Sequence, residues 1–170
     1  MTYEELIEET GVEIGIAGFT PDADGVCVLA SEIGEIVIMD VKEPRETVLL
    51  NATVCDVPPD AGAALMEALR ANRGFKGTNG ATLSVDPETK RFELSQYSFL
   101  ESLDPDSFVA MVEDFATTLV DVREKLEGAS LANAGADGLS ILGLGDFIKV
   151  LQDVVRRNIG VSGQRTRPAA

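Results

Sequence analysis

The strongest indication of the fold of this chain comes from residues 26–41, VCVLASEIGEIVIMDV. Two apolar, largely β-branched runs, Val26–Ala30 and Ile36–Met39, are separated by the short link Glu32-Ile33-Gly34, and Val41 continues the second run. Runs of this length and composition predict β-strands, and a connection this short joins antiparallel neighbours. The segment therefore predicts two adjacent strands of an antiparallel sheet.

The sheet is expected to extend on both sides of this hairpin. Upstream, apolar residues alternate with others over residues 12–16, which predicts a strand, and the turn formers of residues 20–25 follow. Downstream, Thr47–Val57 is a long β-rich run that stops at two prolines. Two further runs, Thr82–Val85 and Arg91–Leu94, flank a polar turn and predict a second hairpin.

Three helices are predicted around these strands. Thr2–Thr10 begins with a capping box, and Asp60 is placed to cap a helix that runs to about Ala71. The longest helix starts at Asp104-Pro105, because proline is tolerated in the first turn. Its apolar positions recur every three or four residues: Phe108, Met111, Phe115, Leu119, Val122 and Leu126. The predicted fold is α+β, an antiparallel twisted sheet flanked by helices in the order α-βββ-β-α-ββ-α, with an extra C-terminal helix.

A change in charge divides the chain near residue 128. Residues 1–127 carry 26 acids and 9 bases, a net charge of −17, whereas residues 128–170 carry 3 acids and 5 bases. We therefore expect an α+β domain over residues 1–127 and an appendage over residues 128–170. In the appendage, Gly128–Gly138 predicts an Ala/Gly-rich linker and Asp146–Asn158 an amphipathic helix, followed by a disordered tail.

The composition excludes several classes of function. The chain has 170 residues and a net charge of −15, which opposes binding to nucleic acid or to an anionic membrane surface. The N-terminus lacks the pattern of a signal peptide, and no stretch is apolar for long enough to insert into a membrane. The two cysteines, Cys27 and Cys55, do not make a disulfide framework. We therefore expect a reducing, cytoplasmic location.

No motif for catalysis, for a cofactor or for a metal stands out. Histidine is absent, which removes the commonest general base and metal ligand. Asp22-Ala23-Asp24-Gly25 hints at a calcium loop, but the register puts Thr20 first and Ser31 last, so a plain turn is the better interpretation. The glycines form neither a dinucleotide-binding motif nor a P-loop. We expect no enzyme, with no catalytic residue, no cofactor and no metal.

The remaining candidate for a functional site is the surface of the sheet. The predicted strands carry apolar residues at both even and odd positions. In β-rich residues 36–39, for example, every side chain is apolar. One interpretation is a strand buried on both faces. The other is an apolar face left exposed for a partner, which in a domain of this size favours dimerisation or a client.

Two groups of residues resemble the class I type III secretion chaperones, the Tir chaperone family. The first is Asp22-x-x-Gly25-x-Cys27-x-Leu29 running into Ile36-Val37-Ile38, and the second is Leu65–Asn72 with Gly80–Asp86. The hairpin and the helix Phe108–Leu126 follow in the family's order. The resemblance covers about residues 1–127. The polar link after Asp40 is longer than the family's, and the segment after Gly138 exceeds the family's usual body.

The resemblance implies a homodimeric chaperone of the bacterial cytoplasm that needs no ATP. Such a protein binds the N-terminal chaperone-binding segment of a secreted effector in extended form and keeps it secretion-competent. A component of the secretion apparatus is a further partner that the resemblance implies. Strand addition at a sheet edge would supply backbone hydrogen bonds, and apolar pockets would supply selectivity.

On this hypothesis the client contacts the first helix and the meander. The predicted client-binding residues are Leu6, Ile7, Ile14, Ile16, Phe19, Val28, Ile36 and Ile38. The alternative for each is a place in the hydrophobic core. The resemblance assigns the dimer interface to the second helix and the strand after it, at Leu65, Leu69, Leu83 and Val85.

Three alternatives stay open at this point. In the first, the chain is an acidic adaptor or assembly protein that binds a folded partner. In the second, it is a small-molecule-binding or enzymatic α+β domain with a closed pocket. In the third, residues 146–158 fold back over an apolar groove and compete with the client.

Overall fold

The structure, a computed structural model, describes residues 1–134. The helices in this part are α1 (Tyr3–Glu13), α2 (Gly62–Asn72) and α3 (Pro105–Ala134), with 3₁₀ turns at Arg73–Phe75 and Leu100–Ser102. The strands are β1 (Val26–Ser31), β2 (Gly34–Val41), β3 (Thr47–Asp56), β4 (Thr82–Asp86) and β5 (Arg91–Phe99). This architecture confirms the predicted α+β class.

The five strands form one antiparallel sheet in the order β1-β2-β3-β5-β4. A bulge interrupts β3 between Thr53 and Cys55, where its register with β5 shifts. Bulges leave backbone groups without a ladder partner. Here the Arg123 guanidinium donates to the carbonyls of Thr53 at 3.2 Å and Val54 at 2.6 Å, and to that of Ile33 in the β1–β2 turn at 2.7 Å. This side chain therefore fixes α3 to one end of the sheet.

All three helices pack on the same face of the sheet. Alternate strand residues point toward them and are buried: Ile36, Ile38, Val48, Leu50, Ala52, Val54, Phe92 and Leu94. The predicted stripe of α3 meets this set, with Phe108, Phe115, Leu119, Val122 and Leu126 buried and Met111 partly buried. Along each strand, only every second residue belongs to the core. Since successive side chains point to opposite faces, no helix among residues 1–134 covers the other face of the sheet.

α1 begins as predicted and ends later than predicted. The Thr2 hydroxyl accepts a hydrogen bond from the Glu5 N–H at 3.2 Å, and the Glu5 carboxylate accepts one from the Thr2 N–H at 2.8 Å. The strand predicted over residues 12–16 is wrong, because α1 runs to Glu13 and the chain then turns. The N–H groups of Ile14 and Ile16 donate back to carbonyls of the last helical turn, and Gly15 adopts a φ of +74°. Such a left-handed glycine is typical of a helix end.

α2 starts slightly later than predicted, at Gly62. Its N-cap is Ala61, without a side-chain hydrogen bond, so the cap predicted at Asp60 is wrong. Small residues face the core, namely Ala64, Ala68 and Ala71. They allow α2 to approach α3 and β4 closely.

α3 starts as predicted, since the Asp104 carboxylate accepts a hydrogen bond from the Ser107 N–H at 2.8 Å. The helix continues to Ala134, so residues 128–134 are helical rather than part of a linker. The rest of the predicted linker, the helix predicted for Asp146–Asn158 and the C-terminal tail lie outside the described residues.

Candidate partner-binding surface

The sheet face turned away from the helices is apolar across four strands. The register aligns one row over β1, β2, β3 and β5, formed by Val26, Met39, Leu49 and Tyr97. This row and its apolar neighbours are named the open face: Val26, Val28, Val37, Met39, Leu49, Tyr97 and Phe99. Tyr97 is 70% exposed, Val28 49% and Phe99 43%. A contiguous apolar surface of this kind marks an interaction site.

Polar groups border the open face. The Asn51 amide donates to the Glu93 carboxylate at 3.3 Å and accepts from the Ser95 hydroxyl at 2.7 Å. On the other side, the Arg45 guanidinium lies 4.3 Å from the centre of the Phe99 ring and pairs with Glu101. An apolar centre inside a polar rim is the usual anatomy of a protein interface.

The two edges of the sheet differ in their free backbone groups. The Val26 carbonyl accepts from the Asp22 N–H at 2.9 Å, so the backbone groups of Val26 point away from β2. By the two-residue period, those of Val28 and Ala30 point the same way, and no described residue bonds to them. At the opposite edge, the Asn72 side chain bonds both the N–H and the carbonyl of Leu83 at 2.9 Å. By the same period the backbone groups of Val85 also point outward, so β4 has one free position and β1 has two, and β1 is the edge better suited to strand addition.

A second apolar surface lies on α2. It consists of Leu65, Met66 and Leu69, which are 41%, 50% and 66% exposed, and is named the α2 surface. An amphipathic helix usually turns its large apolar side chains inward. α2 turns its alanines inward and its large residues outward, which is the pattern of a helix that packs against a further partner.

Four of the eight predicted client residues lie in the core. They are Leu6, Ile7, Ile36 and Ile38, each at most 2% exposed. In this conformation they support the sheet from the helix side and do not reach the surface. On β2 the outward residues are instead Val37 and Met39, because successive side chains point to opposite faces.

The other four predicted client residues are accessible to different degrees. Val28 lies on the open face, whereas Ile14, Ile16 and Phe19 are partly buried in the segment between α1 and β1. Phe19 packs so closely on α1 that a Cβ added to Gly11 would lie only 2.7 Å from the Cβ of Phe19. These three residues lie in a segment that leads into the β1 edge.

Three of the four predicted dimer residues are exposed. Leu65 and Leu69 belong to the α2 surface, and Val85 on the neighbouring strand β4 is 38% exposed. Leu83 is buried in the core, so its side chain is not available to a second copy in this conformation.

The surface is strongly acidic near α1. A cavity of about 430 Å³ between α1 and the segment before β1 is lined by five carboxylates: Glu4, Glu8, Asp22, Asp24 and Asp40. Lys42 also lines it and lies 3.5 Å from Asp40. Together with the net charge of −17 over residues 1–127, this cavity attracts basic segments.

Neither thiol is activated, and no metal site is formed by the described residues. Burial raises the pKa of the Cys27 thiol and raises that of Cys55 to about 11, which leaves little nucleophilic thiolate at neutral pH. Between residues 1 and 134, no group of three or more cysteines and carboxylates is placed to hold a metal ion. Within the same range, no helix is long and apolar enough to cross a membrane.

The sequence profile of the Tir chaperone protein (CesT) family matches residues 5–123, from α1 through the whole sheet into α3. The chain belongs to this family. The match confirms the resemblance found in the sequence. No curated protein sequence is similar enough to this CesT-family protein to count as a relative.

Solved structures share the fold of this CesT-family protein. A chain of the HopA1–SchA chaperone–effector complex has a TM-score of 0.59 at 16% identity, over 72% of this chain and 93% of that one. The Yersinia pestis type III secretion chaperone SycH with a fragment of YscM2 gives 0.58 at 14% identity, over 71% and 99%. The ExoU–SpcU complex from the type III secretion system of Pseudomonas aeruginosa gives 0.56 at 15% identity, over 75% and 99%.

The family membership also confirms that this protein is a chaperone rather than an enzyme. Sequence reasoning nevertheless missed most of the open face, above all Tyr97 and Phe99. The hairpin is predicted to end at Leu94, whereas β5 continues to Phe99. The available signal was the parity along β5, where Phe92 and Leu94 face the core and the odd positions face outward.

Proposed function

We propose that this CesT-family protein is a cytoplasmic type III secretion chaperone that holds the N-terminal segment of a secreted effector in extended form. The observation that carries the proposal is the open face lying beside a free β1 edge. The solved structures of similar fold add support, since one is named as a chaperone–effector complex and another as a type III secretion chaperone bound to a fragment of a second protein.

In the proposed complex, the effector segment adds to β1 as a further strand. Its backbone bonds the outward N–H and carbonyl groups of Val28 and Ala30, and alternate side chains continue the apolar surface next to Val26. The acidic cavity beside α1 selects a segment that also carries lysine or arginine. An extended, partly basic and partly apolar segment is therefore the proposed client.

The proposed assembly is a homodimer joined through the α2 surface. Leu65 and Leu69 are large, apolar and exposed, and Val85 lies on the strand that α2 packs against. The α2 surface and the open face use different residues, so dimerisation leaves the client surface free.

Native mass spectrometry of the tagged protein isolated from its source cells tests the proposal. We expect two copies of the 18.1-kDa chain with one partner, whose N-terminal segment is protected from protease in the complex and digested when free. A partner segment that resists protease when free, as a folded domain does, would support the acidic adaptor instead.

Ala30→Pro tests strand addition at β1 directly. The Ala30 N–H points out of the sheet, and an edge strand tolerates proline at such a position. We expect Ala30→Pro to fold normally and to lower effector affinity at least tenfold, while Ala30→Val, which keeps the N–H, binds as the parent does. Normal binding by Ala30→Pro would show that the client does not add to β1.

A further inference from the structure

We propose that, in the protein without a client, residues 146–158 of the same chain occupy the open face. Three observations converge on this occupant: the shape and chemistry of the face, the charge of the segment, and the point at which α3 leaves the sheet. With the proposed function, an effector segment and residues 146–158 compete for the open face. That competition rests on the proposed function, whereas the occupancy of the open face by residues 146–158 does not.

The segment matches the open face in pattern and length. Its sequence, DFIKVLQDVVRRN, has apolar residues at the helical spacing: Phe147, Ile148, Leu151, Val154 and Val155. Thirteen residues span about 20 Å as a helix. The row from Val26 to Tyr97 crosses four strands, which at about 4.8 Å per strand spacing is about 14 Å. One amphipathic helix is therefore long enough to cover the row.

Charge favours this segment over a second copy of the domain. Residues 146–158 carry Lys149, Arg156 and Arg157 against two acids, and residues 128–170 carry a net charge of +2. Residues 1–127 carry −17, and Glu35 and Glu93 lie on the same sheet face as the apolar row. A second domain would bring its own −17 to this face, whereas the C-terminal segment brings positive charge.

The connecting chain is long enough. Arg123 bonds the Ile33 carbonyl, which places α3 at the end of the sheet that holds the β1–β2 turn. Even if the last turns of α3 pointed straight away from the sheet, Ala134 would lie about 16 Å beyond Arg123. The Val28–Val37 pair lies about 14 Å from the β1–β2 turn in the opposite direction, so the linker must span about 30 Å along the strands. Twelve extended steps from Ala134 to Asp146 span about 40 Å, and four of the intervening residues are glycine.

Photocrosslinking in the full-length protein tests the occupancy without any effector. The photoreactive residue p-benzoylphenylalanine replaces Tyr97 in one variant and Val28 in another. Because trypsin cleaves after Lys149 and Arg156, the expected product joins the probe to peptide 150–156. An equal mixture of ¹⁵N-labelled and unlabelled chains should give peptide pairs of one isotope only, as a contact within one chain requires.

Two variants of the segment complete the test. Leu151→Asp should reduce the crosslink at least tenfold, whereas Gln152→Asp, which adds the same charge at the neighbouring polar position, should leave it near the parental yield. Pairs of mixed isotope would show a second copy on the face and overturn the proposal. It is equally overturned if neither probe reaches peptide 150–156, or if Leu151→Asp has no effect. None of these results bears on effector capture, which the Ala30→Pro experiment measures separately.

Discussion

Replacing Arg123 with alanine tests how α3 is fixed to the sheet. In the folded protein the Arg123 guanidinium donates to three backbone carbonyls, at 2.6, 2.7 and 3.2 Å. Two of these carbonyls, those of Thr53 and Val54, lie at the β3 bulge, where the ladder with β5 is interrupted. The third belongs to Ile33 in the β1–β2 turn. Arg123→Ala therefore leaves three acceptors without their donor.

The expected loss follows from these three bonds. A hydrogen bond with a charged donor contributes about 1.5–3 kcal/mol. The three do not add fully, because Arg123 is partly exposed and water replaces part of each bond. We expect Arg123→Ala to lower the free energy of unfolding by about 3 kcal/mol. With a urea dependence of about 2 kcal/mol per molar, the unfolding midpoint then falls by about 1.5 M.

Urea unfolding followed by circular dichroism measures this change, at one fixed protein concentration so that association contributes equally. Arg123→Lys is the matched variant, because it keeps the charge but replaces the planar fork with a single ammonium. It should retain about one of the three bonds and fall between the parent and Arg123→Ala. If Arg123→Ala stays within about 0.5 kcal/mol of the parent, the anchoring role is refuted.

Four further predictions follow from the same structure. Phe115→Ala removes a fully buried side chain of α3 and should lower the free energy of unfolding by about 3–5 kcal/mol in the same urea assay. Cys55, whose pKa is raised to about 11 by burial, should react with an aromatic disulfide reagent at neutral pH far more slowly than in the urea-unfolded chain; equal rates would contradict its burial. Hydrogen bonds from Ser107 hold the pKa of the Asp104 carboxyl below its usual value, so its contribution to stability is present at neutral pH and lost as the pH falls through that lowered pKa. Asp104→Asn should remove this part of the pH dependence of the urea midpoint, and an unchanged pH profile would argue against the cap. Leu69→Asp should give monomers by light scattering, whereas Val12→Asp, at an apolar position of α1 that is 84% exposed, should stay dimeric; a dimeric Leu69→Asp would exclude the α2 surface as the interface.

The sheet and α3 are predictable because their local signals and their packing agree. The hairpin of residues 26–41 combines apolar runs of strand length with a turn too short for any other connection. The stripe from Phe108 to Leu126 keeps one helical spacing over its whole length, and Asp104 supplies the start signal. In such segments tertiary structure adds contacts but does not change the local preference.

Residues 12–16 show where an alternating pattern misleads. Val12, Ile14 and Ile16 fit a period of two, but five residues hold too few repeats to exclude a helix end. Gly15 settles the outcome, because its positive φ closes α1 and directs the chain toward Phe19. The packing of Phe19 on Gly11 then fixes this turn, and that contact is not visible in the local sequence.

The client surface depends on a parity that the sequence leaves open. On β2, Ile36 and Ile38 alternate with Val37 and Met39, and both pairs are apolar enough for a core. We predict Ile36 and Ile38 on the client surface. The structure instead turns these two residues toward the helices and places Val37 beside Val28 on the open face. A shift by one residue exchanges the two faces of a strand. Which pair is buried follows only from the side on which α1 and α3 pack.

An exposed apolar row carries the risk that copies of the chain associate through it, and two features of the described residues oppose that outcome. The charge of −17 over residues 1–127 makes two open faces repel each other. The β4 edge is closed at Leu83 by the Asn72 side chain. By contrast, β1 keeps free backbone groups on Val28 and Ala30, directly beside the apolar row. A folded partner would cover the row and leave these groups without hydrogen bonds, whereas an extended segment satisfies both at once. The geometry therefore favours an extended, basic client over the folded partner of an adaptor.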